Sequence, residues 1–172
     1  MLSAIVLTKN EEKNIAECLA TLAWADEILV VDSQSADRTR EIAEECGATV
    51  LQHPFTDFAS QRNYAMAQAK GDWVFFVDAD ERVTPELSEE IRSICNSSMP
   101  PAAYAVPRRT FFFGQPLCFS DSVGDAPVRL FDRWRASWTQ PVHERISTDL
   151  PIERLKGFLL HYSTRDLSHY KE

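Results

Sequence analysis

Trp73-Val74-Phe75-Phe76-Val77-Asp78-Ala79-Asp80-Glu81 is the stretch whose reading decides the fold. Five apolar residues, rich in aromatic and β-branched types, run unbroken into three acids within four positions. An apolar run of that length fits a strand covered on both faces, as in a parallel sheet. Clustered carboxylates at its end repel and raise one another's pKa. A divalent cation relieves the repulsion: Mg²⁺ or Mn²⁺ takes one or two carboxylates together with phosphate oxygens and water. In open α/β sheets ligands sit at the carboxyl ends of the strands. One reading is therefore a metal holding a phosphorylated ligand at the lip of a sheet. The other is a strand ending in a solvated acidic turn, with Asp80 or Glu81 capping the next element.

Outward from that strand, the pattern alternates. Ser3–Thr8, Glu27–Asp32 and Thr49–Gln52 are strands, the second ending in an acid like Trp73–Val77. Glu12–Leu22 places Ile15, Leu19 and Leu22 on one helical face, and Asp37–Glu45 is a helix closed by Gly47. Asp57 caps a helix that runs to Lys70, with Gly71 expected in the left-handed conformation that ends it. Thr84-Pro85 opens a helix to about Cys95. Repeated β-α-β units imply a mostly parallel sheet flanked by helices. After Pro100-Pro101, residues 103–162 are rich in Phe, Trp, Arg and Pro without an amphipathic helix, and read as antiparallel strands and loops on the sheet's edge. The expectation is one α/β domain over 1–172, with a ligand-binding half at 1–100 and a partner half at 101–172.

The 172 residues carry a net charge of −8, unevenly placed. Residues 1–100 hold 8 Lys and Arg against 18 Asp and Glu, and residues 101–172 hold 10 against 8. An acidic chain lacks the basic footprint of a nucleic-acid binder. Cys18, Cys46, Cys95 and Cys118 are scattered, which fits reduced thiols in a cytoplasmic protein better than a disulfide frame or a zinc site. Neither a signal peptide nor a membrane span is legible.

Three strand ends would meet at one rim: Thr8-Lys9-Asn10-Glu11, Asp32-Ser33-Gln34-Ser35 and Asp78-Ala79-Asp80-Glu81. They supply amide and carboxylate partners for a nucleotide's base edge and ribose hydroxyls, and acids for a metal on its diphosphate. Neither a Rossmann glycine fingerprint nor a P-loop is present, leaving phosphate neutralisation to metal and arginine.

The chain here resembles the family 2 glycosyltransferases, which have the GT-A fold. The matching residues are Ile5-Val6-Leu7-Thr8-Lys9-Asn10-Glu11-Glu12, Val30-Val31-Asp32-Ser33 with Ser35, Asp37 and Thr39, then Gln61-Arg62-Asn63, Gly71-Asp72-Trp73, the Asp78–Glu81 acids, Arg129-Leu130-Phe131 and Val142-His143-Glu144. Each motif is weak alone; their order and spacing along nearly the whole chain is specific. The resemblance is nearest to bacterial glucosyltransferases of lipopolysaccharide inner-core assembly. Such enzymes usually continue well past the point where this chain stops, so it is either a truncated piece or a short homologue, and the resemblance leaves the acceptor side and any membrane-docking helices open.

The resemblance implies roles. Thr8, Asn10 and Glu11 would line a uracil pocket, Asp32 would hold base or ribose, and Arg62 and Asn63 would support the nucleotide. Asp78 would lie near ribose and metal, with Asp80 the direct ligand of Mg²⁺ or Mn²⁺ and His161 completing its shell. Glu144 would be the base that takes the acceptor's proton, with His143 orienting it. Arg129, His143 and Asp125 would stand on the acceptor or phosphate side, Asp121 and Asp125 being rival bases. The donor would be a UDP-sugar such as UDP-glucose. The acceptor would be a lipopolysaccharide-core or other envelope glycan, free or lipid-linked, met at the cytoplasmic face of the inner membrane. Two other readings compete: a non-catalytic nucleotide-sugar-binding module, and a phosphatase of the haloacid dehalogenase type. The latter wants Thr or Val where Arg82 stands. Arg108–Gly114 fits either a flap toward a lipid-anchored acceptor or plain strand packing. Trp134 and Trp138 fit either an acceptor-sugar platform or the core.

Overall fold

The computed structural model describes residues 1–97, 102–117, 125–140 and 145–164. Its first part alternates: β1 (Leu2–Thr8), α1 (Ile15–Ala20), β2 (Glu27–Asp32), α2 (Thr39–Glu45), β3 (Thr49–Gln52), α3 (Phe58–Gln68), β4 (Trp73–Asp78), β5 (Glu81–Val83) and α4 (Pro85–Cys95). The second part consists of β6 (Ala103–Ala105), β7 (Arg108–Phe112), β8 (Gln115–Pro116), β9 (Val128–Asp132), β10 (Ala136–Thr139), β11 (Arg145–Thr148), β12 (Ile152–Arg154) and β13 (Leu159–Thr164).

Seven strands form the main sheet in the order β12-β6-β9-β4-β1-β2-β3. β4, β1, β2 and β3 run parallel, as helical crossovers require. Leu7 pairs with both Val31 and Asp78, and Thr8 with Asp32, so the carboxyl ends of three strands finish level. The central strands are covered on both faces, which explains their unbroken apolar runs. Val6, Val30 and Phe75 pack with Ile15, Leu19, Leu22, Leu87 and Ile91 on the α1 and α4 side. Ile5, Val31 and Phe76 pack with Ala65, Met66, Phe131 and Trp138 on the other.

The second half differs from its expected pattern. β9 is antiparallel to β4 and β6, but β12 runs parallel to β6. A further sheet, β5-β13-β7-β8, pairs β13 antiparallel with β5 and parallel with β7. Period-two patterning encodes which face a side chain takes, not strand direction, and long connections leave direction free. β10 and β11 form an antiparallel pair beside α3.

Helix boundaries follow their caps. Asp57 accepts from the Ser60 N–H at the start of α3, and Thr84 accepts from the Leu87 N–H at the start of α4, where Pro85 takes the first position. α1 is shorter than its apolar pattern, because Glu11 to Asn14 form a turn in which the Glu11 carboxylate accepts from the Asn14 amide. Gly47 ends α2 with φ of 82°, as expected. Gly71 is needed for a different reason than the expected one: its φ is not left-handed. A Cβ there would lie 2.7 Å from the Met1 carbonyl oxygen and 2.8 Å from the Ser3 nitrogen.

Candidate active site

The level strand ends open into a cavity of about 390 Å³. Thr8, Lys9 and Glu11 line it from the end of β1, Ser33 from β2, and Asp78, Ala79 and Asp80 from β4. The segment between β3 and α3 adds Phe55, and α3 itself adds Phe58, Gln61 and Arg62.

Hydrogen bonds tie the rim together. The Asn10 N–H donates to Ser35 Oγ, and the Asn10 side-chain carbonyl accepts from the Ala36 N–H, each at 2.8 Å, with Asn10 held at φ of 56°. The Ser35 N–H and hydroxyl both donate to the buried Asp32 carboxylate. Asp32 and Asn10 thus hold the loops in place, and it is Ser33 that faces the cavity. Asn63 also turns away: its amide donates to the Trp138 carbonyl and accepts from the Trp138 N–H, both at 2.9 Å, clipping α3 to β10. Gln61 donates to Ser33 Oγ at 3.0 Å, and its carbonyl oxygen lies 2.7 Å from His53 Nδ1. The Thr8 hydroxyl is buried and has no hydrogen-bond partner among the described residues.

Phe55 and Phe58 are cavity residues outside every motif of the sequence, and Lys9, Ser33 and Gln61 lie in its motifs without an assigned role. Phe55 and Phe58 are 45% and 52% exposed, unusual for large aromatics, and meet edge to face at 5.0 Å between centroids. Two phenylalanines flanking a helix cap were the available signal.

The three acids at the end of β4 take different parts. Glu81 is 0% exposed and begins β5, where a solvated turn was one reading. Its Oε2 accepts from the Asp78 N–H at 2.9 Å, and its Oε1 lies 3.1 Å from Arg129 Nη2 and 3.5 Å from Arg108 Nη1. Burial pushes the Glu81 carboxyl up, the Asp78 charge adds to that, and the two arginines oppose it. Asp78 accepts from Arg129 Nη2 at 2.7 Å and faces Arg62 Nη2 at 3.6 Å. Desolvation would raise its pKa, but the Arg129 charge and hydrogen bond, backed by Arg62 and Arg108, hold it far below the usual carboxylate range. Arginines therefore supply much of the neutralisation expected of a cation.

Asp80 remains outside that balance. Its side chain is 28% exposed at the cavity, 3.1 Å from His161 Nε2. The Tyr162 N–H donates to the Asp80 carbonyl at 2.9 Å, so β13 delivers His161 to this corner, and His161 Nδ1 lies 3.3 Å from Thr110 Oγ1. The hydrogen bond to Asp80 raises the imidazole pKa, against burial. Among the described residues no group of three or more His, Cys, Asp and Glu gathers as a metal cluster. One carboxylate and one imidazole at an open lip fit a divalent ion that draws its remaining oxygens from phosphate and water.

Arg129 lies on β9 beside Asp78, and Asp125 forms an ion pair with Arg108. Trp134 is exposed, whereas Trp138 is buried against Phe76 and Phe131. Arg108–Phe112 is strand β7, paired with β13 and β8. Asp121, His143 and Glu144 lie outside the described residues.

The sequence profile described as Glycosyl transferase family 2 matches residues 3–112. An uncharacterized glycosyltransferase of Rickettsia bellii is 40% identical over 94 residues, 54% of this chain and 32% of that protein. The lipopolysaccharide core biosynthesis glycosyltransferase LpsC of Rhizobium meliloti is 28% identical over 169 residues, 94% of this chain and 63% of that protein. Among solved structures, S. aureus TarS 1–349 in complex with UDP-GlcNAc superposes with a TM-score of 0.56 at 30% identity, over 64% of this chain and 35% of that one. The chain thus spans less than two thirds of each of these proteins.

Proposed function

Because this chain belongs to glycosyl transferase family 2 and has its GT-A type fold, we propose that its cavity takes the nucleoside diphosphate of a UDP-sugar and that the protein transfers the sugar, with inversion, to an acceptor hydroxyl. The observation that carries this is the convergence of three parallel strand ends on one cavity with an exposed Asp80–His161 pair at its lip. The solved TarS complex holds UDP-GlcNAc, which supports a uridine nucleotide over other donors. Family membership also argues against the phosphatase reading.

In this reading the base lies against Phe55 and Phe58, where stacking on an aromatic contributes about 1–3 kcal/mol. Thr8, Glu11 and Gln61 present hydrogen-bonding groups to it or to the ribose. Asp80 and His161 hold Mg²⁺ or Mn²⁺, which when bound supplies Lewis-acid charge to the leaving diphosphate. Asp78, kept ionised by Arg129, orients the ribose side. Glu144 removes the acceptor proton as the oxygen attacks the anomeric carbon through an oxocarbenium-like transition state. The likeness to LpsC supports an envelope glycan as acceptor. No helix among the described residues is long and apolar enough to cross a membrane, and a lipid-linked acceptor would be met by peripheral contact at the cytoplasmic face.

Calorimetric titration of UDP tests the donor site. Binding is expected with Mn²⁺, is weakened in EDTA, and in Asp80→Ala loses its dependence on metal. Unchanged metal-dependent affinity in that variant would remove Asp80 from the metal. Glu144→Gln is expected to lower transfer about 10²–10⁴-fold, the range of a lost general base, with UDP affinity intact. Undiminished transfer would return the role to another acid, Asp125 first.

A further inference from the structure

A second cavity, of about 460 Å³, adjoins the donor cavity, and Arg62 and Asp78 line both. Its charged wall consists of Arg62, Arg108, Arg129 and Arg145 against the single carboxylate of Asp78, with Trp138 alongside. Arg62 and Arg129 are only 7% and 3% exposed. Cations so deeply placed are costly unless paired and hydrogen-bonded.

Their hydrogen bonds leave a surplus of one kind. Arg129 directs Nη2 to both Asp78 and Glu81, while its Nε and Nη1 are buried with no acceptor among the described residues. Arg108 reaches Glu81 and Asp125 through its Nη atoms, while its Nε has no acceptor among the described residues. The Trp138 indole N–H, on a residue 9% exposed, is likewise without an acceptor among the described residues. All four atoms are donors, and all three residues line the same cavity. Native proteins leave few buried donors unsatisfied, and each one calls for an explanation. The described acids beside it are already engaged: Glu81 is closed off behind Arg129, and Asp125 is held by Arg108. An oxyanion with several acceptor oxygens would answer both the charge and the unpaired N–H groups, and guanidinium forks match its geometry.

We infer that this cavity is an anion subsite that holds a phosphate or carboxylate group carried by the acceptor. Sharing Arg62 and Asp78 with the donor cavity places that group beside the bond to be made. The word acceptor rests on the transferase reading; the binding of an anion does not.

Inorganic phosphate is the probe, titrated by thermal shift and calorimetry into the chain alone and into the chain saturated with UDP and Mg²⁺. Phosphate is expected to bind in both conditions with the same affinity. Loss of phosphate binding once UDP is present would assign the arginines to the donor's own diphosphate and overturn the acceptor assignment. No binding in either condition would overturn the anion site itself. Phosphate binding in a sample that fails to bind UDP would leave the anion site standing and refute the donor site instead. Two variants separate a built site from general surface charge. Arg145→Glu changes an exposed residue of β11 and is expected to weaken phosphate at least about tenfold. Trp138→Phe keeps a ring beside Arg62 while removing the indole donor. It should weaken phosphate about fivefold, and the phosphate-free melting temperature, lowered by the packing that the smaller ring loses, is read separately. Unaltered phosphate affinity in both variants would overturn the proposal.

Discussion

The two ends of the central sheet each bury a glutamate, and the fold treats them in opposite ways. At the amino end, Glu27 has both oxygens occupied: Oε2 accepts from the Ser3 hydroxyl and from the Lys70 N–H at 2.8 Å, and Oε1 faces Lys70 Nζ at 3.4 Å. Ser3 Oγ in turn accepts from the Gly71 N–H. At the carboxyl end, Glu81 and Asp78 share Arg129, whose remaining buried N–H groups have no acceptor among the described residues, and Asp80 stays open to the cavity. A carboxylate that fastens chain to chain uses every neighbouring donor. At the carboxyl end hydrogen-bonding capacity is left over in a buried place, and it is this surplus that the inferred anion would use.

Removing the shared arginine breaks the carboxyl end hardest. Arg129→Met leaves Asp78 and Glu81 without their principal cation and is expected to cost about 3–5 kcal/mol in urea unfolding, the penalty of stranding a buried charge. A loss below about 1 kcal/mol would mean that the acids rely on protonation or water rather than on Arg129. Gly71→Ala attacks the amino end through sterics, because the new Cβ would press on Met1 and Ser3 backbone. About 1–3 kcal/mol of destabilisation is expected, as for other overpacked sites, and wild-type stability would show that the β1 terminus yields freely.

Glu27→Gln sharpens the contrast by pH. Burial raises the Glu27 pKa, but the Lys70 N–H, the Ser3 hydroxyl and the Lys70 ammonium outweigh it and bring the carboxyl below its usual value. A folded-state pKa below the unfolded one means that ionised Glu27 stabilises the fold above the unfolded value, and that this contribution fades as pH falls through the folded one. Wild type should exceed the variant by about 1–2 kcal/mol at pH 7, the scale of charge-assisted hydrogen bonds. The gap should close on acidification below about pH 4.5, the ordinary glutamate range. A gap that is constant from pH 7 to pH 3 would show that shape, not charge, makes the amino-end network.

Particular elements show what could be read in advance. β1, β2 and β4 were legible because a strand covered on both faces needs a continuous apolar run. α3 and α4 were legible at their starts because Asp57 and Thr84 cap within three residues. β5 was not, since Glu81 reads as solvated until Arg129, 48 residues later, is known to sit beside it. The same limit applied to Asn63, whose amide meets the Trp138 backbone 75 residues away. Gly71 was placed correctly as a special position, but the close approach of Met1 and Ser3 that demands it comes from a strand at the other end of the domain's chain order.

By itself the sequence determined the parallel half of the sheet and the polar rim at its carboxyl edge, because hydrophobic periodicity and helix capping act between near neighbours along the chain. Only the tertiary structure decided which acids are locked in ion pairs and which face a cavity, and where arginine N–H groups are left without acceptors. Charge pairing and burial depend on distance through space, and the partners that set them come from strands far apart in the chain.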